Sequence, residues 1–216
     1  MEKSAYFSQR KIDYEIFDFI SDKTTLRYKE IDLVYNLIIF LLKKRIHETG
    51  QVEITCLGKF YTRSYKRAGV KVRFKSFKKM KYIVNGSKPN IFKKYASLEH
   101  MKDIYLEISK LTGLSKKNVT FFLNLLFFKM YDYLKENRSF KFRLFGKFYL
   151  KKYNMKRTTF CGFDVPMKNE YRILFRPHES FKRELNNEIN EIVCSHRMTR
   201  FLRLNKISRE LNKQNI

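Results

Sequence analysis

The side chains able to do chemistry in this chain are overwhelmingly cations. Forty-seven Lys and Arg stand against 21 Asp and Glu in 216 residues, a formal charge of +26 at pH 7. From Ile54 to Leu98 the chain carries 13 Lys and Arg and no Asp or Glu at all. A charge of that size repels itself in a compact chain unless a polyanion screens it, and nucleic acid is the partner it points to. An AT-rich genome accounts for Lys over Arg and for abundant Asn, Ile, Phe and Tyr, but not for the missing acids.

Other chemistry finds little to stand on. His47, His100, His178 and His196 are scattered, and Cys194 and His196 would point apart on a helix. There is no phosphate-binding glycine loop, no His-Glu-x-x-His and no nucleophile elbow, so the expectation is no enzyme, no metal and no cofactor. Cys56, Cys161 and Cys194 have no metal-ligand spacing and are odd in number. They predict reduced thiols in a cytosol-like compartment, with Cys56 in a core. The longest apolar segments, 33–42 and 119–128, run about ten residues, against the roughly 20 that a bilayer span requires. The opening MEKSAYFSQRKIDYE has acids where a signal peptide needs an apolar run, so no secretion is expected.

The elements that must position the cations come as one unit written twice, 88 residues apart. LGKFY at 57–61 returns as FGKFY at 145–149, and Tyr65 falls on Tyr153. Ile16, Ile20, Ser21, Thr24, Leu26, Asn36, Leu37 and Glu48 fall on Ile104, Ile108, Ser109, Thr112, Leu114, Asn124, Leu125 and Glu136. Such a period is too long for a solenoid, so each copy is expected to be a small domain or half of a shared one.

Each copy opens with a short amphipathic helix, marked by Ile12, Ile16, Phe19 and Ile20, then by Ile104, Tyr105, Ile108 and Leu111. In the turn that follows, Gly113 is expected to close one helix and Ser115 to cap the next, with Thr24 and Thr25 as the weaker cap of the first copy. A strongly apolar helix comes next, through Ile31, Val34, Tyr35, Ile38, Leu41 and Leu42, matched by Val119, Phe122, Leu123, Leu126, Phe127 and Met130. FFLNLLFF leaves it almost no polar face and predicts cover on nearly all sides, from the other copy or another chain.

The period then changes to two. Val52, Ile54 and Cys56 alternate with polar residues, as do Phe140, Phe142 and Leu144. Gly58 and Gly146 precede a second strand at 60–65 or 148–153, and a third runs over 70–74 or 171–175. A short helix closes each copy at 77–84 or 179–186. Asn85-Gly86-Ser87-Lys88-Pro89 reads as linker.

This pattern resembles the HU/IHF family of bacterial and viral DNA-bending proteins. The resemblance rests on GLSKK at 113–117, the apolar helix, LFGKFYLKKY at 144–153 and FRPHESFK at 175–182, with FKSFKKMK at 74–81 in the last role in copy one. It covers roughly residues 13–85 and 101–186. It implies an α+β fold of two HU/IHF-like units, each a helix-turn-helix base, a small antiparallel sheet with a shortened arm and a terminal helix. The units are expected at 1–86 and 98–187, with a linker at 87–97 and a basic helical extension at 188–216. Tandem units imply a pseudo-dimer within one chain, or pairing with other chains.

Family members bend DNA with a long arm tipped by Arg-Asn-Pro, whose proline wedges between base steps. Here 13 residues separate Phe60 from Phe74, a stub turning near Ala68-Gly69, and 26 separate Phe148 from Phe175, a moderate arm. The longer tip reads Cys161-Gly162-Phe163-Asp164-Val165-Pro166, without Arg-Asn-Pro. Pro166 or Phe163 is the wedge candidate, a turn or strand-edge proline the alternative, and sharp bending is not expected.

Phosphate contacts are expected from Lys59, Arg63, Lys66, Arg67, Lys71, Arg73, Lys75, Lys78, Lys79 and Lys81 in copy one. Copy two offers Lys141, Arg143, Lys147, Lys151, Lys152, Lys156, Arg157, Lys168, Arg172 and Arg176. Tyr61, Tyr65, Tyr149 and Tyr153 are the candidates for base stacking, whereas Phe60, Phe148, Phe122 and Phe127 read as core. In the extension, Arg197, Arg200, Arg203, Lys206 and Arg209 recur beside Met198, Phe201, Leu204, Ile207 and Leu211, an amphipathic helix for assembly, DNA, a membrane surface or its own domain.

Two functions remain open. One is a non-enzymatic architectural protein on double-stranded DNA, with weak sequence preference, in a bacterial cytoplasm or nucleoid. The other is a virion ring or connector subunit of a phage, using the tandem fold for assembly with itself or related subunits around DNA.

Overall fold

The computed structural model describes residues 14–54, 57–67, 69–77, 84–85, 99–153, 158–160, 163–165, 170–187, 192 and 198–205. The chain is mixed α+β. Helix α1 (residues 14–23) leads into α2 (Tyr28–Thr49), and the three strands β1 (Gln51–Ile54), β2 (Gly58–Tyr65) and β3 (Gly69–Ser76) follow. The order repeats with α3 (Glu99–Thr112), α4 (Lys116–Asn137), β4 (Ser139–Phe142) and β5 (Gly146–Tyr153). A small hairpin, β6 (Thr158–Phe160) and β7 (Phe163–Val165), intervenes before β8 (Glu170–Pro177) and α5 (Glu179–Leu185). The last helix, α6, covers residues 198–205.

Both three-stranded sheets are antiparallel, in the orders β1-β2-β3 and β4-β5-β8. Val52 pairs with Phe60 and Phe140 with Phe148, each partner 88 residues on. The helical turns match as closely. Thr24 Oγ1 donates to the Ile20 carbonyl and accepts from Leu26 N, and Thr112 does the same with Ile108 and Leu114. The threonine therefore finishes the first helix and does not cap the second. Ser115 caps α4 as expected, accepting from Asn118 N, but α2 is capped by Glu30, whose carboxylate accepts from Arg27 N at 2.8 Å. Gly113 closes α3 with φ 72°.

The expected core positions of α2 and α4 are all buried, and one cluster of buried side chains draws on both sets of elements. Three expectations need correcting. In α1 the inward residues are Ile16, Phe17 and Ile20, with Phe19 only partly buried and stacked on Phe128. In α4, Phe121 and Phe128 remain exposed, so this helix is not covered on nearly all sides. Strand β4 stops at Phe142: the chain turns at 143–145, Leu144 takes a left-handed φ of 56°, and Phe145 replaces it in the core.

The two sets of elements interlock. α3 packs on α2 and β1, and α5 packs on β3. Phe60 meets Phe145, Phe148 and Phe175 at ring separations of 5.3, 5.9 and 5.0 Å, mostly edge to face. Such aromatic pairs add roughly 0.5–1.5 kcal/mol each beyond burial of their area. In α6, Met198 is buried and Phe201 and Leu202 pack on the core, while Leu204 is exposed. Helical spacing from Met198 selects positions 201, 202 and 205, and a three-residue count drifts off that face.

Candidate nucleic-acid interface

Alternation along β2 sends Gly58, Phe60 and Thr62 to one face and Lys59, Tyr61, Arg63 and Tyr65 to the other. On β3 the second face carries Lys71, Arg73 and Lys75. Register sets Lys59 directly opposite Lys75 and Arg63 opposite Lys71. The second sheet is built alike: Lys141, Lys147 and Arg176 form one row across three strands, and Lys151 faces Arg172. Like charges directly opposite on a sheet are destabilising. Glu53 lies 3.4 Å from Lys59 and Glu170 3.2 Å from Arg172, so the opposition is only partly offset.

A tyrosine lies on each basic face. Arg73 Nη2 donates to Tyr65 Oη at 2.8 Å, and Arg63, Lys71 and Arg73 all stand within 5.8 Å of the Tyr65 ring. The Arg73 hydrogen bond holds this phenol below its ordinary range against the opposing effect of burial, with the charges of Arg73, Arg63 and Lys71 acting in the same direction as the hydrogen bond. Tyr153 has Lys151 at 5.4 Å and Arg172 at 4.8 Å. The cations hold these rings from their faces. Tyr61 and Tyr149 are partly exposed on the same sheet faces, whereas Phe60, Phe148, Phe122 and Phe127 are buried.

The hairpins differ in length. Tyr65 pairs with Gly69, so the first ends there, and its turn residues Lys66 and Arg67 are exposed. The second continues past Tyr153 and Glu170 into the β6–β7 pair, where Thr158 faces Val165.

Not every expected cation joins these faces. Arg143 lies at the contact of the two sets of elements, its Nη1 3.1 Å from Asp32 Oδ1 and its guanidinium over the Phe17 and Tyr35 rings. Lys152 alternates onto the opposite face of β5 from Lys147 and Lys151, near the open end of the strand. In α6, Arg200 and Arg203 are exposed. Lys78, Lys79, Lys81, Lys156, Arg157, Lys168, Arg197, Lys206, Ile207, Arg209 and Leu211 lie outside the described residues, as do Ile12, Cys56, Cys161, Pro166 and Cys194. So does the expected 78–83 part of the short helix. Arg138 is not among the expected cations: it ends α4 with a left-handed φ of 58° and lays its guanidinium 4.5 Å from the Tyr171 ring. The unbroken repeat register, with Arg138 on Gly50, is the available signal.

Among the described residues no cluster of His, Cys, Asp or Glu is placed to hold a metal, and no helix is long and apolar enough to cross a membrane. Residues 100–186, from α3 through α5, match the family model of bacterial DNA-binding proteins. No curated protein and no solved structure matches the chain.

Proposed function

We propose that this protein is a non-enzymatic architectural protein of the HU/IHF type, binding duplex DNA through its phosphates with little sequence preference. The observation that carries the reading is the set of directly opposed cations on both sheets: Lys59 and Lys75, Arg63 and Lys71, Lys147 and Arg176, Lys151 and Arg172. A polyanion converts that repulsion into attraction and releases its own counter-ions on doing so. The match of residues 100–186 to bacterial DNA-binding proteins supports the same ligand.

On this reading the chain comprises two such units, at 1–86 and 98–187, joined by the 87–97 linker, with residues 188–216 as a basic extension. The sheet cations named above, with those of the hairpins, contact the backbone, and Tyr65 and Tyr153 help to fix the arginines. Arg200 and Arg203 extend the basic surface or serve assembly. The working site is a compartment that holds DNA. A short and a longer hairpin give the particle unequal grips, and gentle deformation of the duplex is expected.

Fluorescence anisotropy of a labelled random-sequence duplex over a salt series tests this, with light scattering in parallel. If about six cations sit on phosphates, log K falls against log salt with a slope of roughly −5. An affinity indifferent to salt, or a large oligomer that ignores DNA, would instead mean that the fold serves assembly, as in a ring or connector.

A further inference from the structure

The interlocked halves meet through contacts of two kinds. Some come in matched pairs: Asn186 holds the backbone of Val70, and Asn85 holds that of Tyr171. Val70 and Tyr171 are equivalent positions in the two hairpins, as are Asn85 and Asn186, each 101 residues on. A true two-fold dimer would show the same reciprocity.

Two ionic contacts break it. Lys43 of α2 and Glu184 of α5 lie 2.6 Å apart at 1% and 2% exposure, with the ammonium 5.4 Å from the Phe181 ring. Asp32 of α2 meets Arg143 at 3.1 Å, at 17% and 34% exposure. The equivalent positions carry no charge. Lys43 corresponds to Tyr131 and Asp32 to Thr120, each 88 residues on, while Arg143 corresponds to Thr55. Glu184 corresponds to Ile83, 101 residues earlier. Tyr131 is buried within the core, and the Thr120 hydroxyl bonds its own helix at Lys116 O.

We propose that these two ion pairs are a pairing code, by which the first half accepts the second half of the same chain and rejects a like half of another copy. Two first halves set together would bury two Lys43 and two Asp32 without counter-ions. Two second halves would bury two Glu184 in the same way and set two partly exposed Arg143 with no carboxylate opposite. A buried charge without its partner costs far more than a buried pair gains, so the discrimination comes chiefly from the wrong pairings. The partner specified is therefore unlike, and both members lie on one chain. This inference does not depend on DNA binding.

The test exchanges the more accessible charges in the full-length chain. The Asp32→Arg chain has two cations at this contact and the Arg143→Asp chain has two anions, while Lys43 and Glu184 stay intact in both. Each is unfolded in urea, then refolded alone and as an equimolar mixture, and the mass is measured by light scattering. The expected result is a mixed species of twice the 26.4 kDa of one chain, formed only in the mixture, in which every contact again joins opposite charges. The chain with both substitutions is expected to return to a monomer. Monomers alone from the mixture, or a mixed dimer that does not fold, would overturn the proposal.

Discussion

The Asn85 amide clasps the backbone of Tyr171 at both its polar groups, donating to the carbonyl at 3.0 Å and accepting from the N–H at 2.7 Å. Asn186 holds Val70 in the same way, at 3.2 and 2.8 Å. Each clasp joins the end of one half to the outer strand of the other. Asn186 also donates to the Lys182 carbonyl and is the more enclosed of the two. Asn186→Ala is expected to cost about 1–3 kcal/mol and Asn85→Ala about 0.5–1.5 kcal/mol, read as a lower urea midpoint at unchanged slope.

Two glycines should respond very differently to alanine. A Cβ at Gly146 would stand 2.5 Å from the Arg176 carbonyl and from the Phe175 ring, where backbone and core cannot both give way. Gly146→Ala is expected to cost about 3 kcal/mol or more. At Gly113 a Cβ meets open space, and only the left-handed φ of 72° opposes it, so about 1 kcal/mol is expected. Thermal melts of the two variants give the comparison.

Stability should fall on mild acidification because of His178. Its Nδ1 accepts from Ser180 N at 3.2 Å, capping α5, a role that needs the neutral ring. Burial lowers its pKa from the ordinary 6.5, and the charges of Lys141 and Lys43 add to that. The unfolded chain thus takes up this proton first: the contribution is complete above about pH 6.5 and is lost as pH falls toward the lowered value. His178→Asn keeps a capping side chain and should flatten the melting temperature between pH 7 and 5, whereas an unchanged profile would assign the loss to other groups.

The basic residues should separate into two classes. Removing Arg63, Lys71 and Arg73 together is expected to reduce the salt slope of duplex binding by up to about 2.7, roughly 0.9 for each phosphate that is no longer neutralised. Arg143→Ala should leave that slope unchanged and lower the melting temperature, because Arg143 is held by Asp32 between the Phe17 and Tyr35 rings. A reduced slope in the Arg143 variant would return this residue to the DNA face.

What can be read from the residues is local or repeated. The turn before each long helix, though not the capping role given to Thr24 and Thr25, the Ser115 cap, the core stripes of α2 and α4 and the unequal hairpins each announce themselves within a few positions, and the 88-residue offset doubles every signal. Contacts across the chain announce nothing. Lys43 sits on an otherwise apolar helix face and Glu184 on a short helix 141 residues away, and no periodicity connects them. Alternation assigns Arg143 to the basic face only if the strand continues, and it has already ended at Phe142. Phe17 escapes the helical count because Phe19 completes an apolar stripe on its own, although Phe17, beside Ile16 and Ile20, is the residue turned to the core.

The interlocking of α3 and α5 with α2, β1 and β3 takes place within a single polypeptide. A protein assembled from separate subunits has a stability tied to their abundance, and dilution alone can undo it. Contacts made within one chain form in a first-order step, and that step does not draw on concentration. A few molecules in a compartment would be as well formed as a crowd.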